Sequence, residues 1–157
     1  MSTSIILSNE DQQDINKILL NMLRSAEAKC ALLVGQDGQC ISKRGFTKKL
    51  DTDALSALIA GSFASTREMA KLVGETDFSV LFHQGAKDHI HNILVDDETI
   101  LTIIFDDRTT LGMIRLYSKE AAKKLRGILK RTKTRQPTEQ LDGFSQEAQK
   151  RIDDLIQ

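Results

Sequence analysis

With 157 residues and 40% hydrophobic side chains the chain can bury one core, so a single domain with a tail is expected and wholesale disorder is excluded. Lys plus Arg and Asp plus Glu both number 22, so no global field draws it to nucleic acid or to a membrane surface. Aromatics reach only 4%, with no Trp, too few for a base-stacking platform, and no apolar run approaches the length of a membrane span.

The stretch from Met1 to Glu10 has an apolar patch (Ile5, Ile6, Leu7) but no basic or long hydrophobic region, so no signal peptide is expected. Ser8 or Asn9 caps a first helix with one apolar stripe, Ile15, Ile18, Leu19, Met22 and Leu23. Lys29 to Gly35 and Gln39 to Arg44 form a hairpin about the turn signal Asp37-Gly38. That pairing sets Cys40 opposite Gly35 and Cys30 opposite Gly45, too far along the ladder for a disulfide. Free thiols without an export signal point to a reducing cytoplasm. Asp51 or Thr52 then opens a long second helix that runs to Val73 and stops at Gly74. Ser79 to Gln84, His89 to Val95 and Thr99 to Phe105 have strand character, separated by turns at Gly85-Ala86-Lys87 and Asp96-Asp97-Glu98.

A last helix starts near Thr109 or Thr110 and buries Leu111, Ile114, Ala121, Leu125 and Ile128. Around Arg131 the character changes, which divides the chain into a domain, residues 1–131, and a tail, residues 132–157. Lys133 to Gly143 is polar, holds the one proline, Pro137, and reads as a linker. Phe144, Ala148, Ile152 and Leu155 follow a helical spacing too short to stand alone, so the segment either stays disordered or orders against a partner's groove. The element order predicts an α/β (α+β) sandwich, α-β-β-α-β-β-β-α, with a mainly antiparallel five-stranded sheet.

The second helix is the most informative element. At about 100° per residue, Leu55, Leu58, Ile59, Met69 and Val73 share one side and are the expected core face. Ala57, Ala60, Gly61 and Ala64 share the opposite side, where a solvated helix would carry Lys, Glu and Gln. Small residues there suit a surface that a partner approaches closely; the alternative is a helix buried on both sides within one subunit.

Chemistry is sparse. Neither G-x-x-x-x-G-K-[ST], G-x-G-x-x-G nor G-x-S-x-G occurs. His83, His89 and His91 would suit a transition metal if a hairpin set them on one face. Asp96, Asp97, Glu98, Asp106 and Asp107 form acidic clusters at turns and strand ends, where solvated carboxylates are common and no base or nucleophile accompanies them. Lys119 to Arg135 holds eight basic residues against one Glu, which fits a solvated helix face better than a phosphate or lipid site. Arg44, Arg67 and Arg108 are each conceivable as an arginine finger, and nothing in the sequence singles one out. The expectation is therefore no catalytic residue, no metal and no cofactor. Val80-Leu81-Phe82 matters more: at a sheet edge it is apolar and unprotected, so it invites pairing with another copy.

Several runs in this order resemble the Roadblock family of dynein light-chain-like domains. They are Ala31-Leu32-Leu33-Val34 with Asp37-Gly38-Gln39, Ala60-Gly61, Ala70-Lys71-Leu72-Val73-Gly74-Glu75, Phe82 to Asp88, and Ile104 to Gly112. The resemblance covers about residues 10–131. It implies a homodimer with one continuous sheet, Val80, Leu81 and Phe82 lying in the dimer interface. It further implies a non-enzymatic, cytoplasmic regulator, with a cell pole as one place of action, that activates a bacterial small Ras-like GTPase in cell polarity or motility. The partner binds the nucleotide, and activation proceeds by reshaping its own residues, without an arginine finger. The GTPase-facing helix maps onto Ala57, Ala60, Gly61, Ala64, Arg67, Glu68 and Lys71, and the family's C-terminal helix onto Phe144, Ile152 and Leu155. The pattern departs at Arg67 and Glu68, where family members carry small residues, so partner choice is open there. The competing expectation is a non-catalytic adaptor that bridges partner proteins.

Overall fold

The computed structural model describes the backbone of residues 7–76 and 78–156 and the side chains of residues 7–76, 78–132, 150, 151, 154 and 155. The elements follow the expected order: α1 (Asn9–Ala26), β1 (Cys30–Gly35), β2 (Cys40–Gly45), α2 (Thr52–Val73), β3 (Val80–His83), β4 (His89–Asp96), β5 (Thr99–Phe105) and α3 (Leu111–Ile156). Their ends are set by caps. Ser8 Oγ accepts the Asp11 N–H at 3.1 Å, Asp51 Oδ1 that of Ala54 at 3.0 Å, and Thr110 Oγ1 that of Met113 at 3.2 Å. Gly74 closes α2 in the left-handed region, φ +82°.

The five strands form one sheet in the order β2-β1-β5-β4-β3, with every pair antiparallel. β1 and β5 sit at its centre and are buried throughout, so they read as near-continuous hydrophobic runs. One face, with Ala31, Leu33, Leu101, Ile103 and Phe105, packs on Ile15, Leu19, Ile114, Leu125 and Leu129 of α1 and α3. The other, with Leu32, Val34, Ile100 and Ile104, packs on Ile59 and Phe63 of α2. α2 lies over β1 and β2. Beyond it on the same face, Leu81, Ile90 and Leu94 are only half-buried.

A buried carboxylate ties α1 to α3. Asp11 accepts hydrogen bonds from Arg131 Nη2 at 2.8 Å and Thr132 Oγ1 at 3.0 Å, and Arg131 also reaches Asp14 at 3.3 Å. Arg126 Nε donates to the Val95 carbonyl at 2.6 Å, so part of the basic run from Lys119 to Arg135 anchors α3 to the domain. A buried charge stays ionised at tolerable cost only with such partners.

Two local expectations change. Cys40 lies opposite Val34 rather than Gly35, because the ladder shifts register between Leu33 and Val34; Cys30 opposite Gly45 stands. Both cysteines are free, and burial pushes the Cys30 thiol up to about 11. The backbone of α3 keeps helical form through Lys133 to Gly143, where composition predicts a linker. Propagating an existing helix adds one bond for each residue ordered, so polarity alone does not stop it. The side chains of Phe144 and Ile152 lie outside the described residues, while that of Leu155 is exposed.

His91 is 1% exposed on β4, opposite Phe82 and Ile103, and neither ring nitrogen has a hydrogen-bond partner among the described residues. Burial, with the Arg115 cation adding to it, lowers its pKa from 6.5 to about 4. Between those values the unfolded chain binds a proton that the folded chain does not, so stability is full above pH 6.5 and falls as pH drops toward 4. Asp106, held low by hydrogen bonds from Arg108, adds a separate loss below its ordinary 3.8. Thermal unfolding midpoints should therefore begin to fall below pH 6.5, and His91→Leu should flatten that slope while leaving the more acidic loss in place.

Candidate functional site

α2 carries three arcs. The buried arc is Thr52, Ser56, Ile59, Phe63, Thr66 and Ala70, with Ala60 at its margin. Hydroxyls fit there because each has a partner: Ser56 Oγ donates to the Thr52 carbonyl at 2.6 Å and Thr66 Oγ1 to the Ser62 carbonyl at 2.8 Å, while Thr52 Oγ1 accepts from Lys43 Nζ at 3.3 Å. The expected core face of Leu55, Leu58, Ile59, Met69 and Val73 is thus only partly correct. Ile59 is buried and Leu55 half-buried, whereas Leu58 is 70% exposed and Met69 and Val73 are exposed. With Leu72, 87% exposed, these residues form a second, apolar arc. It borders the uncovered sheet: Leu55, Leu58, Ile59 and Ser62 line a groove of about 260 Å³ with His83, Ile90 and Asn92.

The third arc is the small-residue face. Ala57, Gly61, Ala64, Glu68 and Lys71 are exposed, Ala60 is nearly covered and Arg67 is half-buried. The alternative of a helix buried on both sides is therefore wrong for the isolated subunit. Glu68 and Lys71 form an ion pair at 3.0 Å with both side chains more than 70% exposed, a geometry that contributes little to stability. Below this arc a cleft of about 510 Å³ is lined by Gln36, Phe63, Ala64, Arg67, Asp97 and neighbours. Arg67, half-buried, lines it and bonds across to the neighbouring turns. Its Nη1 donates to Gln36 Oε1 at 2.9 Å and its Nη2 to the Asp97 carbonyl at 2.8 Å. Gln36 Nε2 also donates to the Asp97 carbonyl, and the Gln36 N–H to the Glu98 carbonyl at 2.9 Å. Further along, Gly38 at φ +89° lies so close to α2 that a Cβ would meet Ala57 Cα at 3.3 Å.

The remaining candidates separate. His83 pairs with Ile90, so its side chain lies on the α2 face, while His89 and His91 share the opposite one. The three imidazoles do not meet, and among the described residues no cluster of three His, Cys, Asp or Glu stands ready for a metal. Asp96 Oδ1 caps its own turn at the Glu98 N–H, 2.8 Å, and Asp106 holds Arg108 at 3.2 Å. Arg44 donates to the Lys43 carbonyl at 2.8 Å. β3 is a sheet edge, as expected for Val80-Leu81-Phe82. The Phe82 ring, however, packs inward, 6.2 Å from both Phe105 and His89, so Val80 and the strand backbone are what that edge offers outward. Sequence reasoning missed Phe63 and the Gln36–Arg67–Asp97 junction. The spacing of Phe63 from Ile59 was a usable signal; nothing local joins Arg67 to residues some thirty positions away.

An open apolar strand edge, an exposed apolar helix arc and a small-residue arc above a cleft define a protein-contact domain. The chain belongs to the Roadblock/LC7 domain family, whose pattern matches residues 14–105. Its fold is similar to that of Myxococcus xanthus MglB, at 38% identity over 81% of this chain and 96% of that one, with a TM-score of 0.77. It is similar to the gliding protein MglB of Thermus thermophilus, at 28% identity over 83% and 99%, TM-score 0.78. An MglB solved in a tetrameric arrangement matches at 27% over 84% and 99%, TM-score 0.79. Among the described residues no helix is long and apolar enough to cross a membrane.

A Cβ at Gly61 would meet nothing within 4 Å, so no contact in the subunit requires glycine there. Gly61→Ala should raise the unfolding free energy by about 0.5–1 kcal/mol in chemical denaturation. A loss of stability instead would show that the site is packed.

Proposed function

We propose that this chain is a homodimeric activator of a bacterial MglA-like small Ras-like GTPase, working in the cytoplasm, at a cell pole, in polarity or motility. The observation that carries the reading is the small-residue arc of α2, exposed where a solvated helix would be charged, with a cleft beside it. Ala57, Ala60, Gly61 and Ala64 let a folded surface approach the helix backbone closely, and Arg67, Glu68 and Lys71 bound that surface. Likeness to MglB supports the choice of partner. The dimer joins β3 to β3 through the edge of Val80, Leu81 and Phe82, which also gives the apolar arc of α2 a covering. With small side chains on the docking arc and Arg67 engaged within the subunit, activation works by reshaping the GTPase so that its own residues align. The chain is then a regulator with no active site of its own, and the nucleotide belongs to the partner.

Adding this protein to a cognate MglA-like GTPase should speed GTP hydrolysis, measured as phosphate release. Binding without any rate change would replace activation by the adaptor reading. Ala64→Arg places a long cation on that arc and should abolish binding in calorimetry, while sedimentation still reports a dimer. Unchanged affinity would move the docking surface elsewhere.

The tail, with Phe144, Ile152 and Leu155, is proposed to reach a second face of the GTPase. Removing residues 136–157 should weaken or retune the interaction and leave the cooperative thermal transition in place. Loss of that transition would mean that the segment is part of the folded domain.

A further inference from the structure

Three elements remote in sequence converge on one side chain. Arg67 stands on α2, Gln36 follows β1 at the start of the β1–β2 turn, and Asp97 lies in the β4–β5 turn. The Arg67 guanidinium bonds both turns at 2.9 and 2.8 Å, and Gln36 completes the triangle by donating to the carbonyl of Asp97 that Arg67 also uses. The two turns are further joined at the backbone, Gln36 to Glu98. On the far side of the first turn, Gly38 sits against Ala57 of the small-residue arc. The turns therefore stand at the rim of the docking arc, bonded to α2 through the Arg67 side chain. A guanidinium serves two acceptors in a planar fork, and an ammonium does not reproduce that geometry.

We infer that Arg67 is a positioning residue: it holds the β1–β2 and β4–β5 turns against α2, so that the surface offered to the GTPase is a composite of helix and turns. This rests on the docking reading above. It also gives the two neighbouring charges of α2 different roles. Arg67 acts inside the subunit, and the exposed Glu68–Lys71 pair is what a partner's charge meets.

Arg67→Ala, Arg67→Lys and Gln36→Ala should each weaken GTPase binding roughly tenfold, and the Arg67→Ala/Gln36→Ala double variant should be no weaker than either single. In the free protein, Arg67→Ala should also speed amide exchange at Gln36 and Glu98, with the rest of the sheet unaltered. Wild-type affinity in Arg67→Lys would overturn the inference, because a charge alone would then suffice. Wild-type exchange at those amides in Arg67→Ala would overturn it as well. Full binding by Ala64→Arg would instead sink the docking reading, and the exchange measurement, made without any partner, still decides the role of Arg67.

Discussion

One helix cannot cover five strands. Strands lie about 4.8 Å apart, so this sheet is some 20 Å wide, whereas a packed helix occupies 8–10 Å. On one face α1 and α3 share the width, clamped together by Asp11 with Arg131 and Thr132. On the other face α2 is alone over β1 and β2. The apolar residues beyond it, Leu81, Ile90 and Leu94, are left half-covered, and β3 is left as an open edge. The open strand edge and the uncovered apolar groove beside α2 follow from that shortfall in width.

The same constraint explains why α2 needs three arcs. Its floor meets the sheet with Ile59 and Phe63, and Ser56 and Thr66 sit beside them because their hydroxyls bond to the preceding turn. The side toward β3 keeps Leu58, Met69 and Leu72, apolar yet uncovered in one subunit. The side toward the turns keeps Ala57, Gly61 and Ala64. Periodicity shows that these arcs exist, but angles alone do not say which of two apolar arcs meets the sheet. That ambiguity is why the angular pattern places Leu58, Met69 and Val73 in the core and the structure does not. Element ends are more legible, since Ser8, Asp51, Gly74 and Thr110 act within a few residues of themselves.

Non-local geometry is the part that the chain does not spell out. The histidines illustrate it by parity. Phe82 faces His91, so every odd position of β3 faces an even position of β4, and His83 lands on the face that His89 and His91 leave. One residue more or less in the connecting turn would reverse this. Arg67 illustrates it by distance. In the sequence it is a charge among small residues, suited to a partner contact or a finger. Only the approach of two turns, 30 and 31 residues away along the chain, makes it an internal bond.

The two edges of the sheet are not equivalent, and this bears on how one small domain can hold a copy of itself and a different partner together. β2 carries Lys43 and Arg44 and is bent by a register shift, features that discourage strand pairing. β3 offers Val80-Leu81-Phe82 without a charge. A second copy directed to β3 by that contrast would meet the groove of Leu55, Leu58 and Ile59, the apolar side of α2 left open in one subunit. The small-residue arc lies on the other side, toward Gln36 and Asp97. On the proposed reading, self-association at β3 and docking of a GTPase would use different arcs of the same helix, so the first would not compete with the second. Two copies held rigidly through α2 would present two such arcs in a fixed relation, a geometry suited to gripping one folded partner and shifting its parts.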